Sequence, residues 1–215
     1  MALFDQKATT YDSFCQSPLG HFVEAVEHNL LAHVATPHAG EQAIDIGCAT
    51  GSTTLWLHSL GVKAIGVDES REMITVASHK VDHNHNSPLF LQDDATALPF
   101  ADNTFDFAIL NIVLEFVANP AQVLQEAYRV IRPEGRLVIG CIAKHGPWGR
   151  HYIKRSHQDP ESIYRNAHFF TPHEVSTLSI GQPANIEFGL YVGPNDFTDE
   201  ESAWQKEYRE RDKKT

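Results

Sequence analysis

The stretch Ala43-Ile44-Asp45-Ile46-Gly47-Cys48-Ala49-Thr50-Gly51 decides the reading of this 215-residue chain. Ala43 to Ile46 is apolar but for one acid and reads as a short buried strand. Gly47, Ala49 and Gly51 make a tight turn of small residues, and Ser52-Thr53-Thr54-Leu55-Trp56-Leu57 opens a helix. Small residues let a backbone approach a ligand closely. A fresh helix N-terminus offers unpaired N–H groups to a carboxylate or phosphate. A second strand ends in Gly66-Val67-Asp68, whose acid suits the two hydroxyls of a ribose. A third, Pro88-Leu89-Phe90-Leu91-Gln92, leads into Asp93-Asp94-Ala95, and Asp94 is placed to accept from an exocyclic adenine amine.

These details discriminate among nucleotide-like ligands. A P-loop needs Lys-Ser/Thr after its glycines, and Gly51-Ser52-Thr53 has no lysine. A dinucleotide fingerprint wants a glycine where Ser52 stands, and no acid in the first strand, where Asp45 would face the pyrophosphate. An acid there better matches an ammonium or a sulfonium. Three acids at three successive strand ends, with no lysine among them, favour S-adenosyl-L-methionine. Asp45 sits too deep for a solvated acid and must find partners. They are the turn's N–H groups or the methionine ammonium, directly or through water.

At this point the chain resembles the class I S-adenosylmethionine-dependent methyltransferases, most closely the branch with the ubiquinone and menaquinone biosynthesis enzymes. The resemblance runs from Phe4-Asp5-Gln6-Lys7-Ala8-Thr9-Thr10-Tyr11-Asp12 through the glycine turn to Gly66-Val67-Asp68-Glu69-Ser70. It continues through Asp94-Ala95-Thr96-Ala97-Leu98-Pro99-Phe100 and Phe105-Asp106 to Tyr128-Arg129-Val130-Ile131-Arg132-Pro133-Glu134-Gly135-Arg136-Leu137. It implies a Rossmann-like, doubly wound α/β sheet and methyl transfer to a small-molecule acceptor by in-line displacement. The cofactor contacts it implies are Tyr11, Asp45, Gly47, Cys48, Ala49, Gly51, Asp68, Glu69, Asp94, Ala95 and Asn111. Tyr11 resembles the aromatic of the family's Tyr-Asp pair, which can lie against the sulfonium. Cys48 is the commonest filler of its motif position and is read as no nucleophile.

Composition excludes other classes. With 17 basic against 28 acidic residues the net charge is −11, which disfavours nonspecific grip on nucleic acid or an anionic membrane. The fourth strand ends in Asn111-Ile112-Val113-Leu114, unlike the Pro-Pro-aromatic ending of base-amine methyltransferases. Three isolated cysteines, Cys15, Cys48 and Cys141, suit a reducing compartment. The start Met1-Ala2-Leu3-Phe4-Asp5 has no basic n-region, and no apolar run approaches a membrane span. A cytoplasmic protein is expected.

Along the chain, helix and strand patterns alternate as a parallel sheet requires. Helices are expected over Leu19 to Val34, after the N-cap Ser70 from Arg71 to Lys80, and from Asn119-Pro120 to about Ile131. Strands are expected at Lys63 to Val67, Phe107 to Leu110 and, after an Arg132-Pro133-Glu134-Gly135 turn, Arg136 to Ile142. One domain is expected: lid helices in residues 1–40, a cofactor-binding core in 41–142, an insertion in 143–170, and a helix, strand and charged tail in 171–215.

The insertion, Ala143 to Phe170, carries five basic residues (Lys144, Arg150, Lys154, Arg155, Arg165) against Asp159 and Glu161, interleaved with Trp148, Tyr152, Tyr164, Phe169 and Phe170. It reads either as a solvated helix with aromatic anchors or as a basic-lined substrate cap, which the resemblance places over the cofactor cleft. Glu115, His145 and Tyr11 are candidate general bases, and none is assigned. Among 13 histidines, His79 and His83 could share a helix face, whereas His28, His33 and His38 rotate around one, so no metal site is expected. The competing functional class is a non-catalytic S-adenosylmethionine sensor or partner subunit, because Ala49 stands where the family prefers glycine.

The family's sheet has seven strands, ordered 3-2-1-4-5-7-6. Here Ala184 to Val192 reads as strand six, and the charged tail from Thr198 shows no seventh. The expectation is a homodimer through this region, or a monomer of marginal stability. The alternative is a tail helix bearing Trp204 and Tyr208 that covers the gap.

Overall fold

Apolar runs bounded by glycine turns and capped helices produce the alternating architecture in a computed structural model that describes residues 2–82, 87–178 and 185–213. The chain divides into two units. The first holds Met1–Tyr11 and Ala35–Gly140, the second Asp12–Val34 and Cys141–Thr215. Two helices, α1 (Ala8–Cys15) and α2 (Pro18–Ala35), precede the sheet.

In the first unit β1 (Gln42–Ile46), α3 (Ser52–Ser59), β2 (Lys63–Asp68), α4 (Arg71–His79), β3 (Leu89–Gln92), β4 (Phe105–Asn111), α5 (Pro120–Val130) and β5 (Ile131–Gly140) follow one another. The strands form one parallel sheet in the order β3-β2-β1-β4-β5. This is the Rossmann-like order, without strands six and seven among the described residues. Ile44, Ile46, Phe107, Ile109 and Leu110, on the central strands, are fully buried. Each contributes roughly 1.5–3 kcal/mol of burial free energy. Parallel pairing puts the β1, β2, β3 and β4 carboxyl ends on one side, where Asp45, Asp68 and Asn111 sit in the last residues of their strands and Asp94 follows β3.

Local chemistry sets the helix starts. The Ser70 hydroxyl accepts from Met73 N at 3.2 Å, and Asn119 Oδ1 accepts from Gln122 N at 3.2 Å ahead of Pro120. Satisfying an orphan N–H in this way is worth about 1 kcal/mol. The turn expected at Arg132-Pro133-Glu134-Gly135 lies inside β5 instead of before it. Ile131 already pairs with Phe105 and Arg136 with Phe107, so the intervening residues bulge, with Glu134 at φ +66°. Strand five accordingly ends at Gly140, short of Ile142.

Among its described residues the regular elements of the second unit are helices, with an isolated parallel bridge between Ala143 and Phe170. The unit contains most of α2, α6 (Pro147–Gln158), a short 3-10 turn at Ile163–Asn166, α7 (Pro172–Thr177) and α8 (Glu200–Asp212). Strand six does not form over residues 185–192, and Ala184 lies outside the described residues. Leu190 turns left-handed at φ +56°, which breaks an extended run. Side chains then take the backbone groups a ladder would have paired. Glu207 of α8 accepts from Tyr191 N at 2.8 Å and Val192 N at 3.3 Å, and Trp148 Nε1 donates to Val192 O at 2.9 Å. The tail folds as α8, whose Trp204 meets Phe22 of α2 edge-to-face at 5.2 Å.

Candidate functional site

The turn after β1 is wound by alternating left-handed residues: Gly47 at φ +76°, Ala49 at +47° and Gly51 at +85°. At Gly47 a Cβ would collide with Val113, and at Gly51 with the Phe90 ring at 2.6 Å, so both glycines serve close packing as well as the turn. Ala49 adopts the same conformation despite its Cβ. Gly47 N and Cys48 N both donate to Val67 O, at 2.7 and 3.0 Å, which ties the turn to the end of β2.

That tie brings the turn to Asp68. Ala49 N donates to Asp68 Oδ2 at 2.9 Å and Ser70 N to Oδ1 at 2.8 Å, so both carboxylate oxygens are oriented by backbone. Burial raises the Asp68 carboxyl above its ordinary range against these bonds. Asp45 is 1% exposed. It accepts from the Thr54 hydroxyl at 2.6 Å, one turn into α3. Burial, aided by the nearby Asp68 charge and opposed by the Thr54 bond, pushes its carboxyl to about 7.

Asp94 follows β3 and is exposed. Its Oδ1 accepts from both Thr96 N and Thr96 Oγ1 at 2.7 Å, which lowers its pKa. Glu69 feels partial desolvation first, then the charges of Asp68, Asp94 and Asp5, and its carboxyl is raised. Asp5, Asp68 and Asp94 thus lie close enough to Glu69 for their charges to act on it. Glu69 lines a cavity of about 460 Å³ whose walls also include Asp5, Arg71, Glu72 and Gln92. Ala95 continues the loop after Asp94, half-buried.

Asn111 ends β4 with its side chain against Gly140, where a Cβ would collide with Oδ1. Ile112 follows at φ +59°, a strained conformation for a β-branched residue, and its N–H donates to Gly140 O at 2.8 Å. The buried Cys48 thiol packs with Ala77 and Phe90, and burial raises it well above the usual thiol range, as an inert core cysteine requires. Tyr11, on α1, is 38% exposed; Glu115 is buried after β4; His145 is exposed in the second unit. His83 lies outside the described residues, so the His79–His83 pair does too.

Sequence reasoning missed three features. Thr54 as the partner of Asp45 could have been found, because a hydroxyl one turn into the helix faces the preceding strand. The Ile112 strain carries no sequence signal. The third is a polar face on α5: Gln122, Glu126 and Arg129, spaced for one helix face, bond the loop after Asp94.

Comparison with known proteins agrees with this geometry. A family model for the methyltransferase domain matches residues 44–139. An uncharacterized protein of Methanocaldococcus jannaschii is 29% identical over 81% of this chain and 77% of its own length. A demethylmenaquinone methyltransferase of Clavibacter sepedonicus is 32% identical over 64% of this chain, which spans only 56% of that relative. A crystal structure from Thermotoga maritima, of a SAM-dependent methyltransferase named as a possible histamine N-methyltransferase, superposes with a TM-score of 0.66. It is 28% identical, with 82% of this chain and 76% of that one covered. Residues 44–139 carry the methyltransferase domain of the class I S-adenosylmethionine-dependent family, and S-adenosylmethionine is the methyl donor of that family. Among the described residues no helix is long and apolar enough to cross a membrane.

Proposed function

We propose that the first unit binds S-adenosylmethionine at the carboxyl ends of β1, β2 and β3, and that the chain transfers its methyl group to a small-molecule acceptor. The observation that carries this reading is the engagement of both Asp68 oxygens by Ala49 N and Ser70 N. A carboxylate fixed in this way is pre-organised for a pair of vicinal hydroxyls, and the acids around it suit a cation without phosphate. Asp68 accepts from the ribose, Asp94 from the adenine amine, and Asp45 from the methionine ammonium. Gly47, Cys48, Ala49 and Gly51 bring backbone up to the ligand, while Tyr11, Glu69, Ala95 and Asn111 line it.

When bound, S-adenosylmethionine supplies an electrophilic methyl that an acceptor attacks in line, the carbon–sulfur electron pair staying on sulfur. The protein's task is alignment. Holding acceptor and methyl about 3–3.5 Å apart supplies much of the acceleration. A base is required only for an acceptor that must lose a proton before or during attack. The basic and aromatic insertion supports an acceptor with an aromatic or acidic part. The two relatives differ in their names, one a demethylmenaquinone methyltransferase and one a possible histamine N-methyltransferase, so the family leaves the acceptor atom open.

Calorimetry tests the reading. Asp68→Ala should weaken S-adenosylmethionine binding by roughly 1.5–3 kcal/mol, and NAD should give no measurable heat. An unchanged dissociation constant overturns the assignment of Asp68. Screening a metabolite extract with radiolabelled cofactor identifies the acceptor; binding without turnover across such a screen selects the sensor or partner-subunit alternative.

We further propose that two copies associate through the last third of the chain. Among the described residues β5 pairs with β4 alone, and an open edge favours association. Light scattering that gives a monomer, with a melt unchanged by tenfold dilution, excludes the dimer.

A further inference from the structure

The loop from Asp94 to Asp102 has no strand or helix of its own, so its backbone groups need partners from elsewhere. One face of α5 supplies them. Gln122 Nε2 donates to Thr96 O at 3.4 Å, and Leu98 N donates to Glu126 Oε2 at 2.8 Å. Arg129 Nη2 donates to Leu98 O at 2.9 Å, and Nη1 to Phe100 O at 2.7 Å. The same guanidinium grips Glu126 through Nε at 2.8 Å and Nη2 at 2.7 Å, and reaches Asp102 Oδ1 at 2.9 Å. A guanidinium carries five N–H donors in a fixed fork, and all five have an acceptor here.

A partly buried ion pair is weak evidence for stability, since desolvation offsets its attraction. Its defensible use is to fix one arrangement among several. Thr96, which the face holds through its carbonyl, is also the residue whose N–H and hydroxyl orient Asp94. The tie is continuous: Arg129 and Glu126 set Leu98, Gln122 sets Thr96, and Thr96 aims the Asp94 carboxylate.

We propose that Arg129 and Glu126 are positioning residues for adenine recognition, acting through the Thr96–Leu98 backbone on Asp94. The inference rests on the reading of Asp94 as the acceptor for the exocyclic amine. It predicts a specificity effect, which a merely structural ion pair would not have.

The experiment compares S-adenosylhomocysteine with S-inosylhomocysteine, which lacks that amine, by calorimetry on the full chain. Wild type should prefer the adenine form by about tenfold or more. Asp94→Ala should abolish that preference. Arg129→Lys and the milder Glu126→Gln should narrow it at least about threefold while leaving the preference for a 2′-hydroxyl over its 2′-deoxy analogue as in wild type. If Asp94→Ala loses the preference and neither α5 variant narrows it, the positioning role is overturned and Asp94 stands. If Asp94→Ala keeps it, the reading of Asp94 fails and the proposal with it. Equal erosion of the base and sugar preferences in the α5 variants means general loosening and also overturns the proposal. Should Arg129→Lys fail to fold, Glu126→Gln decides alone.

Discussion

Ala49 N donates to Asp68 Oδ2 at 2.9 Å from a residue held at φ +47°. The left-handed backbone that orients this N–H is the one a Cβ disfavours, by roughly 1–2 kcal/mol for an L-residue. Ala49→Gly removes that penalty but adds unfolded-state entropy worth about 0.4–1 kcal/mol. Thermal melts should therefore show a change between zero and about 1.6 kcal/mol of stabilisation, with cofactor affinity retained. Ala49→Val, branched at the same φ, should destabilise by about 1–3 kcal/mol. A valine variant as stable as wild type would show that the turn does not need this conformation.

Asp45 gives the pH dependence. Its folded carboxyl titrates at about 7 against an ordinary value near 3.8, so the folded chain binds the extra proton between those values. Stability from this group is greatest below the unfolded value and falls as pH rises towards 7, then levels. Asp45→Asn keeps an oxygen for the Thr54 hydroxyl and removes the titration. Above pH 7 the variant should be more stable by up to roughly 3–4 kcal/mol, and below pH 4 the gain should vanish. Cofactor binding should run the other way. An ammonium selects the ionised form, so affinity rises from pH 6 to 7 with proton release, seen as buffer-dependent heats. Pure pH independence of both measurements would remove Asp45 from the ionisable groups of the site.

Much of this was legible because the sheet's physics is local. Asp45, Asp68 and Asp94 each follow or sit in an apolar run, and a parallel sheet brings such ends together. Ser70 and Asn119 announced their helices by cap chemistry alone. The last third was not legible, because its alternating residues 185–192 satisfy the strand pattern while their fate depends on partners. Glu207, sixteen residues beyond Tyr191, decides it from another helix. The bulge in β5 was hidden for a similar reason: Pro133-Glu134-Gly135 reads as a turn, and only Ile131 pairing with Phe105 shows a strand on both sides.

Glu207 is the test of what replaces that strand. It is buried, and burial raises its carboxyl while the Tyr191 and Val192 N–H groups lower it. Glu207→Ala leaves those two N–H groups without their acceptor, at about 1–3 kcal/mol for each buried group left unsatisfied. Denaturant melts should show the loss, and hydrogen exchange should show the Tyr191 and Val192 amides losing protection first. Retained protection at both amides would mean that another acceptor holds the segment.

The acceptor itself is addressed through α6. Trp148 and Tyr152 lie 5.7 Å apart, and Tyr152 stacks on Tyr164 at 3.9 Å, so the aromatic residues of the insertion pack on one another within the second unit. Arg150, Lys154 and Arg155 are exposed, and the Arg150 guanidinium donates to the His145 carbonyl. A merely solvated basic face would tolerate charge reversal, since surface pairs contribute about 0–1 kcal/mol. A basic-lined cap would not. Arg150→Glu with Arg155→Glu should raise KM for the true acceptor by about tenfold or more, with the cofactor dissociation constant nearly unchanged and the melt kept. Lys154→Glu alone distinguishes a field effect from direct contact, because a long-range attraction would weaken with added salt over a Debye length of about 10 Å at 0.1 M. Equal loss of acceptor and cofactor binding, or loss of neither, assigns the insertion to the solvated-helix reading and moves acceptor recognition elsewhere in the chain.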